Sequence, residues 1–149
     1  MKLAIGCDEA AYELKQLLKQ HVEAAGHEVT DFGTFDAKPV LYPDIAFAVA
    51  EQVAAGAHER GLLLCGTGIG MAISANKVKG VRAAVAWNEE IARLARQHNN
   101  ANVLSLAARY TSDEENQKIV KAWFATDFEG GRHERRVEKI GQIEKDDLA

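Results

Sequence analysis

The sequence predicts an α/β protein, a three-layer α/β/α sandwich around a five-stranded parallel sheet. Three observations predict it. Short apolar runs of strand length recur five times, segments with helical spacing separate them, and the connections between the two are short. Strands buried on both faces read as continuous apolar runs rather than as alternating ones, which is how Leu62-Leu63-Leu64 reads.

Leu3 to Cys7 is the first strand, ending at Asp8. Residues 10–25 carry Leu14, Leu17, Leu18, Val22 and Ala25 at helical spacing, and Gly26 is the stop. His27 to Asp31 is the second strand. Residues 32–43 are a loop with Gly33, Pro39 and Pro43. Asp44 is expected to cap a helix running to about Ala55. Gly61 to Cys65 is the third strand, followed by a helix from about Ile69 to Lys79-Gly80. Val81 to Ala86 is the fourth strand, and Asn88 caps a helix bearing Ile91, Leu94 and Ala95. Asn102 to Leu106 is the fifth strand. Ser112 or Asp113 opens a helix with Ile119, Val120, Trp123 and Phe124 on its apolar side. Phe128 to Gly131 breaks the chain before a charged last helix, 132–146. Its apolar stripe (Val137, Ile140, Ile143) is too thin for a core element and suits a subunit interface or the sheet edge.

The chain of 149 residues reads as one domain over 1–149. Its net charge of −4 offers no electrostatic case for nucleic acid. Its apolar runs are too short for a bilayer, and the strand-like start reads as no secretory signal. Cys7 and Cys65 each end a strand, and reduced thiols in a cytoplasmic setting are expected.

In an open parallel sheet, ligands gather beyond the carboxyl ends of the strands. Here these are Asp8, Cys65, Trp87 and Ala107. The segment Cys65-Gly-Thr-Gly-Ile-Gly stands at one of them. It is not a dinucleotide fingerprint, because position 71 is Met rather than Gly, and no Gly-Lys-Ser/Thr follows to make a phosphate loop of the nucleotide-hydrolase kind. Its glycines let backbone N–H groups approach an anionic oxygen closely. A thiol at such a turn ionises more easily than a free one. The same residues also read as a tight turn with a buried structural thiol.

Two further clusters carry chemistry. Gln97-His98-Asn99-Asn100-Ala101-Asn102 ends a helix before the fifth strand, opposite the ligand side unless the helix end curls over; a polar capping turn is the plain reading. Gly130-Gly131-Arg132-His133-Glu134-Arg135-Arg136 sets Arg132 and Arg136 four apart on one helix face, which suits a phosphate or simply a solvated basic turn. Arg109 follows the fifth strand on the ligand side. The five histidines show no paired ligand spacing, so no metal is expected.

Together these segments resemble the type B ribose-5-phosphate isomerases and their relatives, the galactose-6-phosphate isomerase subunits. The resemblance is carried by Gly6-Cys7-Asp8, Tyr12-Glu13-Leu14-Lys15, Asp31-Phe32-Gly33-Thr34, Tyr42-Pro43-Asp44, Leu64 to Lys77, Arg82-Ala83, Arg96 to Val103, Arg109, and Phe128 through Arg136. It covers nearly the whole chain. It implies a Rossmann-like sheet of strand order near 2-1-3-5-4 and cofactor-free aldose–ketose isomerisation of a sugar phosphate, most simply ribose 5-phosphate to ribulose 5-phosphate.

It also implies roles. Cys65 is the base that moves a proton between C1 and C2 through a cis-enediolate. Thr67 and the amides of Gly66, Gly68 and Gly70 hold the oxyanion. His98 helps open the sugar ring, while Asp8, Glu9, Tyr42 and Asn99 contact substrate. Arg109, Arg132 and Arg136 hold the phosphate. A homodimer or homotetramer shares its sites between subunits. Some relatives place a glutamate base where this chain has Met71, which leaves Cys65 as the base here.

Two departures concern substrate. The family usually reads Asp-His after the first strand, with that His on the phosphate; here the pair is Asp8-Glu9, and a carboxylate repels a phosphate dianion. Leu41 stands where an acidic residue often precedes Tyr-Pro. A tetrulose phosphate or a hexose 6-phosphate is therefore a rival substrate. A non-catalytic phospholigand-binding module is the rival from another class. A thiol redox protein is weakened by the lack of a resolving cysteine near Cys65.

Overall fold

The computed structural model describes residues 1–147; Leu148 and Ala149, the last two residues of the expected domain, lie outside them. Five strands form one sheet: β1 (Lys2–Cys7), β2 (Glu28–Asp31), β3 (Arg60–Cys65), β4 (Ala83–Val85) and β5 (Val103–Ala107). Their order is β2-β1-β3-β5-β4, and all four pairings are parallel. Six helices connect and cover them: α1 (Tyr12–Ala24), α2 (Tyr42–Ala54), α3 (Ile69–Ala75), α4 (Glu89–Asn99), α5 (Asp113–Phe124) and α6 (Glu134–Asp147). The expected α/β class, five parallel strands and strand order all hold.

Alternation along the strands builds two cores. Leu62 and Leu64 of β3 face one way, with Leu3, Ile5 and Cys7 of β1, onto α1, α4 and α5. Leu63 and Cys65 face the other way, onto Ala46, Val49 and Ala50 of α2 and Met71 and Ala75 of α3. Cys7 pairs with Leu64 across the sheet, so Cys65 points to the opposite face and both thiols are free. α2 lies unusually close to the sheet. A Cβ on Gly6 would meet Ile45 Cγ2 at 2.6 Å, and one on Gly61 would meet Val49 Cγ1 at 2.9 Å. These glycines let the helix down onto the strands and fix where its first turn, with Tyr42, comes to rest.

Several boundaries differ from the sequence reading, each for a local reason. α2 starts at Tyr42, not after Asp44: Pro43 sits in the first turn, where its missing N–H is no loss and its fixed φ suits a helix. α3 stops at Ala75 rather than near Gly80. Asn76 caps it, and the Asn76 side chain bonds Ala83 twice, accepting from its N at 2.8 Å and donating to its O at 2.9 Å. β4 is shorter than 81–86, because Arg82 N donates to the Asn102 side chain instead of to a strand. Ser112 is the cap of α5. The last helix begins at Glu134, after a 3₁₀ turn at Gly131–His133.

α6 joins neither core. Glu144 accepts from Gly80 N at 3.0 Å, and Ile140 and Ile143 stand half-exposed over a cavity of about 400 Å³ shared with Asn76, Arg82 and Asn99. Among the described residues no helix is long and apolar enough to cross a membrane.

Candidate active site

The carboxyl ends of β1, β3 and β5 converge. Asp8 N donates to Leu64 O at 3.1 Å, and Ala108 N donates to Cys65 O at 2.9 Å, so three strand ends are laced together. Asp8 Oδ1 accepts from Ala10 N (3.0 Å) and Ala11 N (3.2 Å), which fixes the carboxyl at the start of the turn into α1. Burial raises its pKa, and the neighbouring Glu9 raises it further, against the two amides and Arg109. Glu9 turns to the 32–41 loop, where its Oε2 accepts from Val40 N at 3.3 Å.

Cys65 is 5% exposed, and Gly68 N donates to its Sγ at 3.1 Å. Gly68 has φ +78°, and a Cβ there would lie 3.1 Å from the Leu106 backbone carbon. Only glycine makes that turn and that approach together. Ser105 Oγ, buried beneath the loop, donates to Gly68 O at 2.5 Å and holds the turn from the β5 side. Thr67 is exposed, its Oγ1 accepting from Ile69 N at 3.1 Å. Gly70 lies under Tyr42: a Cβ would meet its ring and hydroxyl at 2.7 Å. Arg109 N donates to Gly66 O at 3.0 Å, and its side chain crosses Gly66, within 3.5 Å of where a Cβ would stand. The other thiol, Cys7, is pushed up to about 11 by burial and is inert packing.

Asp8, Glu9, Tyr42, Cys65, Gly66, Thr67, Gly68, Gly70 and Arg109 therefore share one mouth. Met71 does not reach it; its side chain is fully buried between α2, α3 and the sheet.

The remaining expected site residues stand at the other end of the sheet. His98 and Asn99 close α4, whose left-handed cap Asn100 (φ 48°) turns the chain into the amino end of β5. Arg96, 7% exposed, holds that turn by donating to Asn100 Oδ1 (2.9 Å), Ala101 O (2.7 Å) and Thr126 O (3.2 Å). The length of β5, five residues, puts about 13 Å between this end and Cys65. The helix end does not curl over.

Docked on it is the segment before α6. Glu129 N donates to Gln97 O at 3.1 Å, and the His98 and His133 rings stack with centroids 4.2 Å apart and planes 12° apart. Arg132 lies in the 3₁₀ turn and Arg136 in α6, not both on one helix face as the spacing implied. With Arg135 and Lys139 they nevertheless wall one cavity of about 490 Å³.

Sequence reasoning missed two residues that organise these groups. Ser105, the only polar residue of β5, was a readable signal. His133 stands in the Gly130–Arg136 motif, but nothing along the chain places it on His98. Contrary to the histidine spacing, His98, Glu129 and His133 bring three possible metal-ligand atoms within 4.8 Å of one another. The group is poorly made for a cation. Near-parallel rings keep their in-plane lone pairs side by side rather than aimed at one point, and Arg132 Nε stands 3.4 Å from His133 Nε2.

The chain matches the Ribose/Galactose Isomerase family over residues 3–140. It is similar to the ribose-5-phosphate isomerase B structure of Clostridium thermocellum, with a TM-score of 0.96 and 47% identity over 97% of this chain and 98% of that one. It is similar to ribose-5-phosphate isomerase B of Mycoplasma genitalium with bound ribulose-5-phosphate, with a TM-score of 0.92, 45% identity and 97% of each chain covered. It is also 44% identical over 146 residues to a D-erythrulose-4-phosphate isomerase of Pectobacterium atrosepticum, covering 97% of this chain and 95% of that one. A family match over residues 3–140, with relatives more than 40% identical over nearly their whole length, leaves one conclusion: this chain belongs to the Ribose/Galactose Isomerase family.

Proposed function

We propose that the chain is a cofactor-free aldose–ketose isomerase of a sugar phosphate, with ribose 5-phosphate and ribulose 5-phosphate as its leading pair. One observation carries the reading. Cys65 Sγ lies at a strand end against the Gly68 amide, between Asp8 and Arg109, in a chain similar to a relative with bound ribulose-5-phosphate.

Cys65 as thiolate takes the proton from C2 of the open-chain aldose. The electron pair moves through C1 to the carbonyl oxygen and gives a cis-enediolate. A proton passes from the C2 hydroxyl to O1, and the thiol returns its proton to C1. Removal of a C–H proton beside a carbonyl needs an oriented base and fixed donors where charge develops. Thr67 and the amides of Gly66 and Gly70 are those donors, while the Gly68 amide is engaged with Cys65 Sγ. Asp8, Tyr42 and Asn99 read sugar hydroxyls.

Ring opening comes first for an aldose that cyclises. The C1–O4 bond breaks, its pair goes to O4 with a proton from His98, and O1 gives its proton to water to become the aldehyde oxygen. Solvent then reprotonates His98. Arg109, Arg132 and Arg136 bind the phosphate through charge-assisted forks.

His98, Asn99, Arg132 and Arg136 cannot meet Cys65 within one chain across about 13 Å of strand. A second copy supplies them, in a homodimer or an assembly of dimers. The exposed apolar side chains Phe47, Ile69 and Ile73 beside the Cys65 face, and Ile140 and Ile143 on α6, are surfaces such a contact covers.

A second reading is an isomerase of a tetrulose phosphate. Glu9 favours it: a carboxylate at the mouth opposes a phosphate there, and one similar relative is a D-erythrulose-4-phosphate isomerase. The test is incubation with four- to six-carbon sugar phosphates in deuterated water. Deuterium entering the substrate with the wild-type chain and not with Cys65→Ala supports the proposal. No exchange on any of them removes it.

A further inference from the structure

We infer that His133 is a positioning residue for the isomerisation: it holds the His98 imidazole in the orientation that opens the sugar ring. The inference rests on the reading of His98 as the ring-opening group.

His98 sits on the last turn of α4 and is half-exposed, so its ring has room to rotate away. His133 has none: it is 4% exposed. It is fixed by the turn that carries it, where Gly130 and Gly131 have φ +68° and +55° and His133 N donates to Gly130 O at 3.0 Å. That turn is itself tied to α4 by the bond from Glu129 N to Gln97 O at 3.1 Å. A buried ring is thus laid flat against a partly exposed one, 4.2 Å between centroids and 12° between planes. Offset stacking of this kind fixes a plane without using either nitrogen of the partner. His98 keeps both nitrogens for substrate, and a general acid must be aimed as well as present.

The polar neighbours agree. Arg132 Nε donates to His133 Nε2 at 3.4 Å, which requires that nitrogen to be unprotonated, with the proton on Nδ1. Burial, His98, Arg132 and Arg136 lower the His133 pKa against the opposing Glu129. His133 is therefore the neutral member of the stack, so it sets no second imidazolium against the His98 ring. Arg132, held through Nε, keeps its terminal nitrogens for the phosphate. One side chain thereby couples the ring-opening group to the phosphate-binding group on the same turn.

Ring chemistry provides the test. Ribose 5-phosphate closes through its C4 hydroxyl and must be opened before C2 is attacked. Ribulose 5-phosphate cannot form that ring, because its carbonyl is at C2 and the hydroxyl that would close on it carries the phosphate. Exchange of the C1 hydrogen of ribulose 5-phosphate with deuterated water therefore reads the Cys65 step alone. Conversion of ribose 5-phosphate reads both steps.

The expectation for His133→Ala is a fall in kcat on ribose 5-phosphate, relative to ribulose 5-phosphate exchange, of about tenfold or more. For His133→Phe, which keeps the flat ring and loses the nitrogens, that ratio returns to within about threefold of the wild-type chain. An equal fall in both assays, a rise in KM on both substrates without a change of ratio, or a Phe variant as impaired as the Ala variant overturns the positioning role. A wild-type chain that exchanges nothing, or a Cys65→Ala variant that exchanges as fast as wild type, overturns the isomerase reading itself and the inference with it.

Discussion

Gly68 donates its amide hydrogen to Cys65 Sγ at 3.1 Å while its own carbonyl is held by the buried Ser105 hydroxyl. The sulfur is thus bonded to a turn that only a glycine at position 68 can make. An alanine there would hold a left-handed φ and press its Cβ on the Leu106 backbone. Gly68→Ala is expected to destabilise by about 1–2 kcal/mol and to lower turnover by about tenfold or more as the amide leaves the sulfur. Thermal unfolding and proton exchange measure the two effects, and a variant with normal Tm and normal rate would separate the turn from the chemistry.

Arg96 supports the turn that carries His98 and Asn99, the second half of the proposed site. It is buried and donates to three acceptors around the α4 cap, and burial lowers its pKa to about 10, with Arg60 and Arg82 adding and Asp127 opposing. Arg96→Ala leaves those acceptors unpaired and is expected to lower stability by about 2–4 kcal/mol. It should also slow turnover, because the turn carrying His98 and Asn99 loosens. Arg96→Lys should rescue little, since one ammonium cannot span the positions that the fork reaches. Chemical denaturation checks both variants.

Two histidines set an acid limit on stability. The His27 pKa is lowered by burial and then by the N-terminal ammonium, whose nitrogen lies 3.1 Å from Nδ1; that of His133 is lowered by burial, His98 and Arg132. In both cases the unfolded chain, at the ordinary 6.5, binds the proton before the folded one does. Stability is then level above that value and falls as pH drops through it. Unfolding scans at pH 7.5, 6.5 and 5.5 should show Tm falling across the last interval. The double variant His27→Phe/His133→Phe should flatten the curve.

How far these groups could be read from the sequence depended on the range of the interactions that fix them. Strand ends and the glycine turn were legible, because a parallel strand buried on both faces is a plain apolar run and Leu62 to Leu64 is one. The early start of α2 was misjudged, although Pro43 announces it locally. The early stop of α3 was not legible at all, since the Asn76 side chain bonds Ala83 seven residues on. The strand order came from family resemblance, not from spacing. His133 was hidden for the same reason as Asn76: its partner is 35 positions away, and only the fold brings the rings together.

Glu9 governs substrate choice on this account. Its carboxylate accepts from Val40 N and, beside Asp8, gives the mouth two acids against Arg109. Glu9→Gln keeps an acceptor for Val40 and removes the charge. Its kcat/KM for ribose 5-phosphate relative to a tetrulose 4-phosphate should rise by about threefold to tenfold. Glu9→His should raise it further by offering the phosphate a donor. An unchanged ratio in both variants would mean that the carboxylate does not meet the substrate.

The central claim is that each site is built from the Cys65 end of one chain and the His98 end of another. Subunit complementation tests it most directly. Cys65→Ala and His98→Asn, each expected to be inactive in converting ribose 5-phosphate, are mixed under conditions that exchange subunits. Random pairing gives half mixed dimers with one intact site each, so activity should return to about a quarter of the wild-type value. Mixtures no more active than the separate variants, with mixed dimers present, would contradict a site shared between chains.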